Sequence, residues 1–201
     1  MDTRQIIAIL APIVLVATMY PIFQVVSKKY GKQSGWFLGI AIYWTLWAVV
    51  FPLGMLGKST IINLAHPQKI EVKTLLVTLI PMLLAAVGRF VMGIEYKRTP
   101  KWVYFTYLVS AFGNGFLEEV LWRGVYLVLF PGSILFQVIW PSIWFGIWHY
   151  APGSVSSRGR IWNLMGGAVV LGLFLGFLAR GTGTIWYSIV AHTLMAIIMV
   201  I

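Results

Sequence analysis

Predominantly apolar runs of about 20 residues recur along nearly the whole of this 201-residue chain, and no other feature constrains its fold as strongly. A run of that length spans the ~30 Å hydrocarbon core of a bilayer as a helix. In hydrocarbon every backbone N–H and C=O must be satisfied within the element, and for runs this long the helix does that. One soluble core could not absorb so many of them. The charge content agrees: 10% of residues are charged, against roughly 25% in soluble domains. The expected fold is an all-α, polytopic transmembrane bundle of about seven spans, forming a single integral membrane domain over 1–201.

The spans are expected at 5–27, 35–56, 74–94, 108–130, 134–150, 162–179 and 184–201. The first is too long for a signal-peptide core and is read as a retained helix; Pro12 and Pro21 are expected to bend it. A connector covers 57–73. "EYKRTPK" at 95–101 is the sharpest polar break, and "WVYFTYL" after it is aromatic enough for a headgroup belt. "APGSVSSRGR" at 151–160 reads as a polar loop. Gly172 and Gly176 form a small-xxx-small pair suited to close helix packing. Arg89, near the end of the third span, can snorkel to the interface.

The net charge of +10 does not point to nucleic acid, because the cations sit in short breaks between apolar runs rather than in one patch. That distribution fits membrane topology and anionic lipid headgroups. Lys28, Lys29, Lys32, Lys97, Arg98, Lys101, Arg158 and Arg160 fall on one side of the bundle. Arg4, Lys58, Lys69, Lys73 and Arg180 fall on the other. The bias makes the first side cytoplasmic and puts the N-terminus outside. With no cysteine there is no thiol nucleophile and no thiolate metal site.

The chain has only five acidic residues, Asp2, Glu71, Glu95, Glu118 and Glu119. Two of them stand together in the apolar stretch "GNGFLEEVLWRGVYLVLF", with Arg123 four residues on. Charge at the centre of a spanning helix costs roughly 2.5–3.5 kcal/mol per residue on insertion scales. Glu119 and Arg123, at i and i+4, share a helix face and can pair. Glu118 points about 100° away and has only Asn114 one turn before it. One reading is buried polar glue between helices. The other is a functional site, the default for ionisable groups inside a membrane. Two histidines on other spans favour the second: His149 ends "FGIWH" and His192 lies in "IVAHTLMA". His66, in a loop beside Pro67, has no assigned role.

EExxxR (Glu118, Glu119, Arg123), then FxxxH (Phe145, His149), then a further histidine (His192) resembles the CPBP family over roughly residues 108–200. That family covers CaaX-processing and bacteriocin-processing intramembrane endopeptidases. The resemblance implies Glu118, Glu119, Arg123, His149 and His192 as site residues. Glu118 would be the general base, His149 would help hold the water, and His192 would stabilise the oxyanion. It also implies a peptide or lipidated-protein substrate met within the lipid. The family's last motif reads HxxxN, with the Asn helping to hold the oxyanion, but the position four after His192 is Ala196. Asn114, Asn163, Ser188 and Thr193 are the candidate replacements.

The residue inventory narrows the chemistry further. There is no HExxH helix for the usual zinc-protease arrangement, and no aspartate lies in any span to form an aspartyl dyad. Ser188 and His192 are four apart, but no Gly-rich elbow surrounds Ser188. Water activated by a carboxylate, with no cofactor, is the expected route. Zinc held by Glu118, His149 and His192 is the alternative, since two histidines and a glutamate are a common zinc set. Two other function classes stay open. A proton-coupled transporter would use intramembrane Glu, His and Arg, though no repeat symmetry is evident. A catalytically silent peptide-binding or immunity protein would explain Ala196. The small, bare architecture suggests a prokaryotic plasma membrane, with the site open to the cytoplasm beside His149.

Overall fold

The computed structural model describes residues 1–67, 69–92, 100–156 and 160–200. Among these there are eight helices and no strand. Helix α1 is Thr3–Tyr30, α2 is Lys32–Leu56, α3 is Lys58–Leu64, α4 covers 72–92 and α5 covers 101–129. Helix α6 covers 135–156, α7 is Ile161–Thr182 and α8 is Trp186–Val200. Each of the seven apolar runs is helical. Four of the helices, α1, α2, α4 and α7, are long and apolar enough to cross a membrane unaided.

Several boundaries differ from the sequence reading. The connector contains α3, and its last carbonyls are anchored from far away: Thr184 Oγ1 donates to the carbonyl of Leu64 at 2.5 Å, and the Ile185 N–H donates to the same oxygen at 3.0 Å. The aromatic segment after the polar break forms the first turns of α5, which begins at Lys101. The supposed loop after His149 is helical from Tyr150 to Ser156. Pro12 and Pro21 lie inside a helix assigned without interruption. The polar break from Glu95, with Lys97 and Arg98, and Arg158 of the orientation count lie outside the described residues.

Three helices contain wide π-type turns, at Trp44–Val50 in α2, at Asn114–Glu118 and Val120–Gly124 in α5, and at Leu135–Ile139 in α6. Two have a local cause. Pro52 and Pro141 follow closely, and a proline has no N–H to give and crowds the carbonyl four residues back. A widened turn relieves that crowding. The turns in α5 have no proline; they carry the two glutamates and Arg123, in keeping with the frequency of π turns at functional sites.

Helices α5 and α6 form an antiparallel hairpin. Gln137 Nε2 donates to the Leu127 carbonyl at 3.0 Å, and Arg180 of α7 donates to Gln137 and to the carbonyl of Gly132 in the connecting turn. Helix α7 packs closely on α6. A Cβ at Gly172 would come within 3.0 Å of the Ser142 backbone, and one at Gly176 within 3.0 Å of Val138. The small-xxx-small pair is therefore a packing device. Helix α1 is tied to α5, where Tyr126 Oη donates to the Ala8 carbonyl at 2.8 Å and Gln5 Nε2 to the Leu129 carbonyl at 2.7 Å. Helix α8 closes the bundle, packed on α4, α5 and α7. Together these contacts put the middle of α5 at the centre of the molecule.

Candidate active site

Glu118, Glu119, Arg123 and His192 are all buried, at 5% exposure or less. His149 is half-buried. Helix α5 supplies the carboxylates and the guanidinium, α6 supplies His149 and α8 supplies His192. The five side chains named from the sequence converge from three helices.

Glu119 is the hub of the charge network. Its Oε1 takes Arg123 Nη1 at 3.1 Å and His192 Nδ1 at 2.8 Å. The i,i+4 spacing accounts for the first contact and the approach of α8 for the second. That approach requires a small residue opposite: a Cβ at Gly115 would collide with Thr193. Gly115 lies against Thr193, Glu119 bonds to His192 and Gly124 faces Ile185, so α8 runs antiparallel to α5.

Glu118 finds its partners on other helices. Trp148 Nε1 donates to its Oε1 at 3.1 Å. Its Oε2 is buried without a hydrogen-bond partner and faces His192 Nε2 at 3.9 Å. His149 Nδ1 donates to the Phe145 carbonyl at 2.7 Å, with the proton assigned to that nitrogen because a carbonyl can only accept. This leaves Nε2 with a lone pair. Glu118, Arg123 and the second imidazole, His192, lie near the His149 ring.

Phe145, one turn before His149, is the wedge of the site. The Arg123 guanidinium lies over its ring at 4.6 Å, a cation–π contact that offsets part of the cost of burying the charge. The same ring meets His149 and His192 edge-on at centroid distances of 4.6 and 5.9 Å. Its place in FxxxH follows from these contacts.

Three aromatic residues at the site were not singled out by sequence reasoning. Trp148 precedes His149 directly. Tyr43, from α2, stacks on the Trp148 indole at 4.0 Å and accepts a hydrogen bond from Trp122 Nε1 at 3.1 Å. Trp44, its neighbour, donates from Nε1 to Asn114 Oδ1 at 2.8 Å. The only sequence signal was the adjacency of Trp148 to His149; α2 carries no motif.

The four candidate replacements for the missing asparagine separate clearly. Asn163 is exposed near the start of α7. Ser188 is buried and donates to the Leu175 carbonyl at 2.9 Å. Thr193 packs against Gly115. Asn114 lies one turn before Glu118 with its carbonyl oxygen held by Trp44, so its amide N–H donors are oriented. Because α8 is antiparallel to α5, the turn of α8 ending at Ala196 lies beside the turn of α5 that carries Asn114.

Among the described residues, no group of three or more His, Asp or Glu side chains is arranged to hold a metal ion. His192 Nδ1 is taken by Glu119 and His149 Nδ1 by a carbonyl, which leaves the two Nε2 atoms and the carboxylate oxygens Glu118 Oε2 and Glu119 Oε2.

Residues 100–198 match the family model described as Type II CAAX prenyl endopeptidase Rce1-like. Through that segment the chain is similar to the Rce1-like family. The match begins at the first turn of α5 and runs almost to the end of α8, so it contains all five candidate site residues and Trp148. It leaves out α1–α4, and with them Tyr43 and Trp44. No curated protein and no solved structure matches the chain. That family is one of membrane-integral proteases, and the apolar helices of this chain agree with it.

Proposed function

We propose that the protein is an intramembrane endopeptidase that hydrolyses a peptide bond of a membrane-associated substrate, of the prenylated CaaX class that the family's description names, with a glutamate-activated water. The observation that carries this reading is the state of Glu118: one oxygen held by Trp148, the other buried, unpaired and facing His192. Both glutamates leave Oε2 without a hydrogen bond, but Glu119 is tied through Oε1 to Arg123 and His192, so Glu118 is the carboxylate suited to a base.

In this scheme Glu118 Oε2 takes a proton from water, and the O–H that remains donates a hydrogen bond to His149 Nε2. The oxygen adds to the scissile carbonyl carbon. His192, anchored through Nδ1 by Glu119, donates from Nε2 to the oxyanion, and the Asn114 amide supplies a second donor where the family pattern would use an Asn at 196. Before attack the charges of Glu118 and Glu119 balance those of Arg123 and a His192 carrying both ring protons, and after it the oxyanion replaces Glu118 as the second negative charge. When the C–N bond breaks, Glu118 passes its proton to the leaving amine. The Nδ1 contacts suit either form, since a zinc-bound histidine donates its other ring N–H in the same way, and the chelator arm of the test separates the two. The lysine and arginine bias supports a site facing the cytoplasm.

The test is direct. Purified protein is incubated with farnesylated CaaX peptides and, separately, with double-glycine leader peptides. Cleavage by the wild type, abolished in Glu118→Gln and unaffected by chelator in protein free of zinc by elemental analysis, is the expected result. No cleavage of either class by folded wild-type protein would leave the silent peptide-binding reading in its place.

A further inference from the structure

We infer that Trp148 and Tyr43 are positioning residues that decide which oxygen of Glu118 acts as the base. The inference rests on the proposed role of Glu118. It adds two residues to that role, one of them on a helix outside the segment that matches the family.

A carboxylate on a flexible side chain presents two equivalent oxygens. Fixing one with a donor fixes the plane and leaves the other as the reactive atom. Here the fixed atom is Oε1, held by Trp148 Nε1 at 3.1 Å, and the free atom is Oε2, 3.9 Å from His192 Nε2. Both partners gain: a buried indole N–H needs an acceptor and a buried carboxylate needs a donor. With the carboxylate ionised, as a base must be before it acts, this bond is stronger than a neutral one.

An indole can hold a carboxylate in place only if the ring itself is held. Trp148 is 1% exposed, and its faces are packed by aromatic rings. Tyr43 stacks on it at 4.0 Å with the planes 25° apart, and Phe23 of α1 meets it edge-on at 6.0 Å. Tyr43 is in turn fixed by Trp122, whose Nε1 donates to the phenol oxygen at 3.1 Å. The same hydroxyl lies beside the Glu118 carboxylate and interacts with it. The chain of support runs from Trp122 on α5 through Tyr43 on α2 to Trp148 on α6, and back to Glu118 on α5. Each link is buried and rigid, as the support of a reacting group must be.

Two measurements test this, one of them independent of any substrate. In ¹⁵N–¹H spectra of the full chain in lipid nanodiscs, the indole signal absent from Trp148→Phe is that of Trp148. We expect it downfield of the other indole signals, moving upfield in Glu118→Gln and unmoved in Glu71→Gln. Trp148→Tyr serves for assignment if the Phe variant does not fold. In cleavage assays of a farnesylated CaaX peptide, Trp148→Phe should lower kcat about 10- to 100-fold with KM within about twofold, the signature of a lost supporting contact. Tyr43→Phe keeps the stacked ring and should stay within about threefold of wild type, whereas Tyr43→Leu should lose about tenfold in kcat. An indole signal indifferent to Glu118→Gln, or losses that fall on KM, overturns the inference. If the wild type cleaves nothing, the proposed function fails while the indole shift still decides this one.

Discussion

Helices α4 and α5 each carry an arginine within an apolar run, and the fold uses the two in opposite ways. Arg123 of α5 is at the centre of the bundle, 2% exposed, paired with Glu119 and lying over Phe145. Arg89 of α4 reaches the last carbonyls of α8, those of Ile198 and Met199, at 3.3 and 3.5 Å. Positive charge at a helix C-terminus is favourable and local. Helix α4 packs chiefly on α8, and only 11% of its most apolar window is buried. An arginine in an apolar run is therefore not in itself a sign of chemistry. It becomes one when acids share its helix and other helices bring imidazoles to the same point.

The largest expected effect is in α5. Glu118→Gln keeps the shape and the acceptor for Trp148 but removes the base, so kcat for a cleaved peptide should fall about 10²- to 10⁴-fold. The fold should survive, as thermal unfolding in detergent would verify. A variant with wild-type kcat would reduce the pair of glutamates to structural glue and erase the contrast with α4.

Glu119→Gln comes next, and its damage should be structural as well as catalytic. It leaves the buried Arg123 and His192 without the carboxylate both contact. Breaking a buried ion pair from one side costs about 3–5 kcal/mol. A marked loss of thermal stability in detergent is expected for Glu119→Gln and not for Glu118→Gln. Equal melting temperatures for the two would mean that the neighbouring acids do not divide the labour as their contacts indicate.

These two residues also mark how far the sequence could be read. The Glu119–Arg123 pair was legible because helix periodicity alone puts i and i+4 on one face. The partner of Glu118 was not, because Trp148 is 30 residues away and reaches it only through the register of the α5–α6 hairpin. That register is set by Gln137, Arg180 and the turn at Gly132, none of which carries a recognisable pattern. Asn114 stood on the page as one of four donors, and the choice depended on Trp44, 70 residues upstream in a helix that reads as an ordinary span. Helix α3 was missed for the same kind of reason. Its sequence, KSTIINL, has little apolar periodicity, and its last turn is held by Thr184 and Ile185, just before α8. Local periodicity gave the helices; contacts distant in sequence built the site.

A smaller effect is expected where α2 meets α5. Trp44→Phe keeps most of the ring beside Gly113 and removes the N–H that fixes Asn114. A single neutral hydrogen bond is worth about 0.5–1.5 kcal/mol, so kcat should drop roughly 3- to 10-fold with little change in stability. Asn114→Ala should cost more than Trp44→Phe, and the double variant no more than Asn114→Ala alone. Additive losses would show that Trp44 acts by another route than the Asn114 amide.

The smallest effect belongs to α4 and completes the contrast. Phe90 follows Arg89 directly and is 88% exposed, the most exposed large apolar side chain described in that helix. In a bilayer such a ring faces lipid tails, which are as apolar as a leucine, so exchanging one for the other changes little in packing or transfer. Phe90→Leu should alter stability by less than about 0.5 kcal/mol and leave kcat and KM at wild-type values. The measurement is worth making because it can fail in an informative way. A substrate anchored in the membrane must reach Glu118 from the side, and α4 is the least enclosed of the long helices flanking α8. If Phe90→Leu raised KM for a farnesylated peptide while leaving the unfolding temperature unchanged, the exposed face of α4 would be part of the path by which substrate enters. The division between a working α5 and a peripheral α4 would then have to be redrawn.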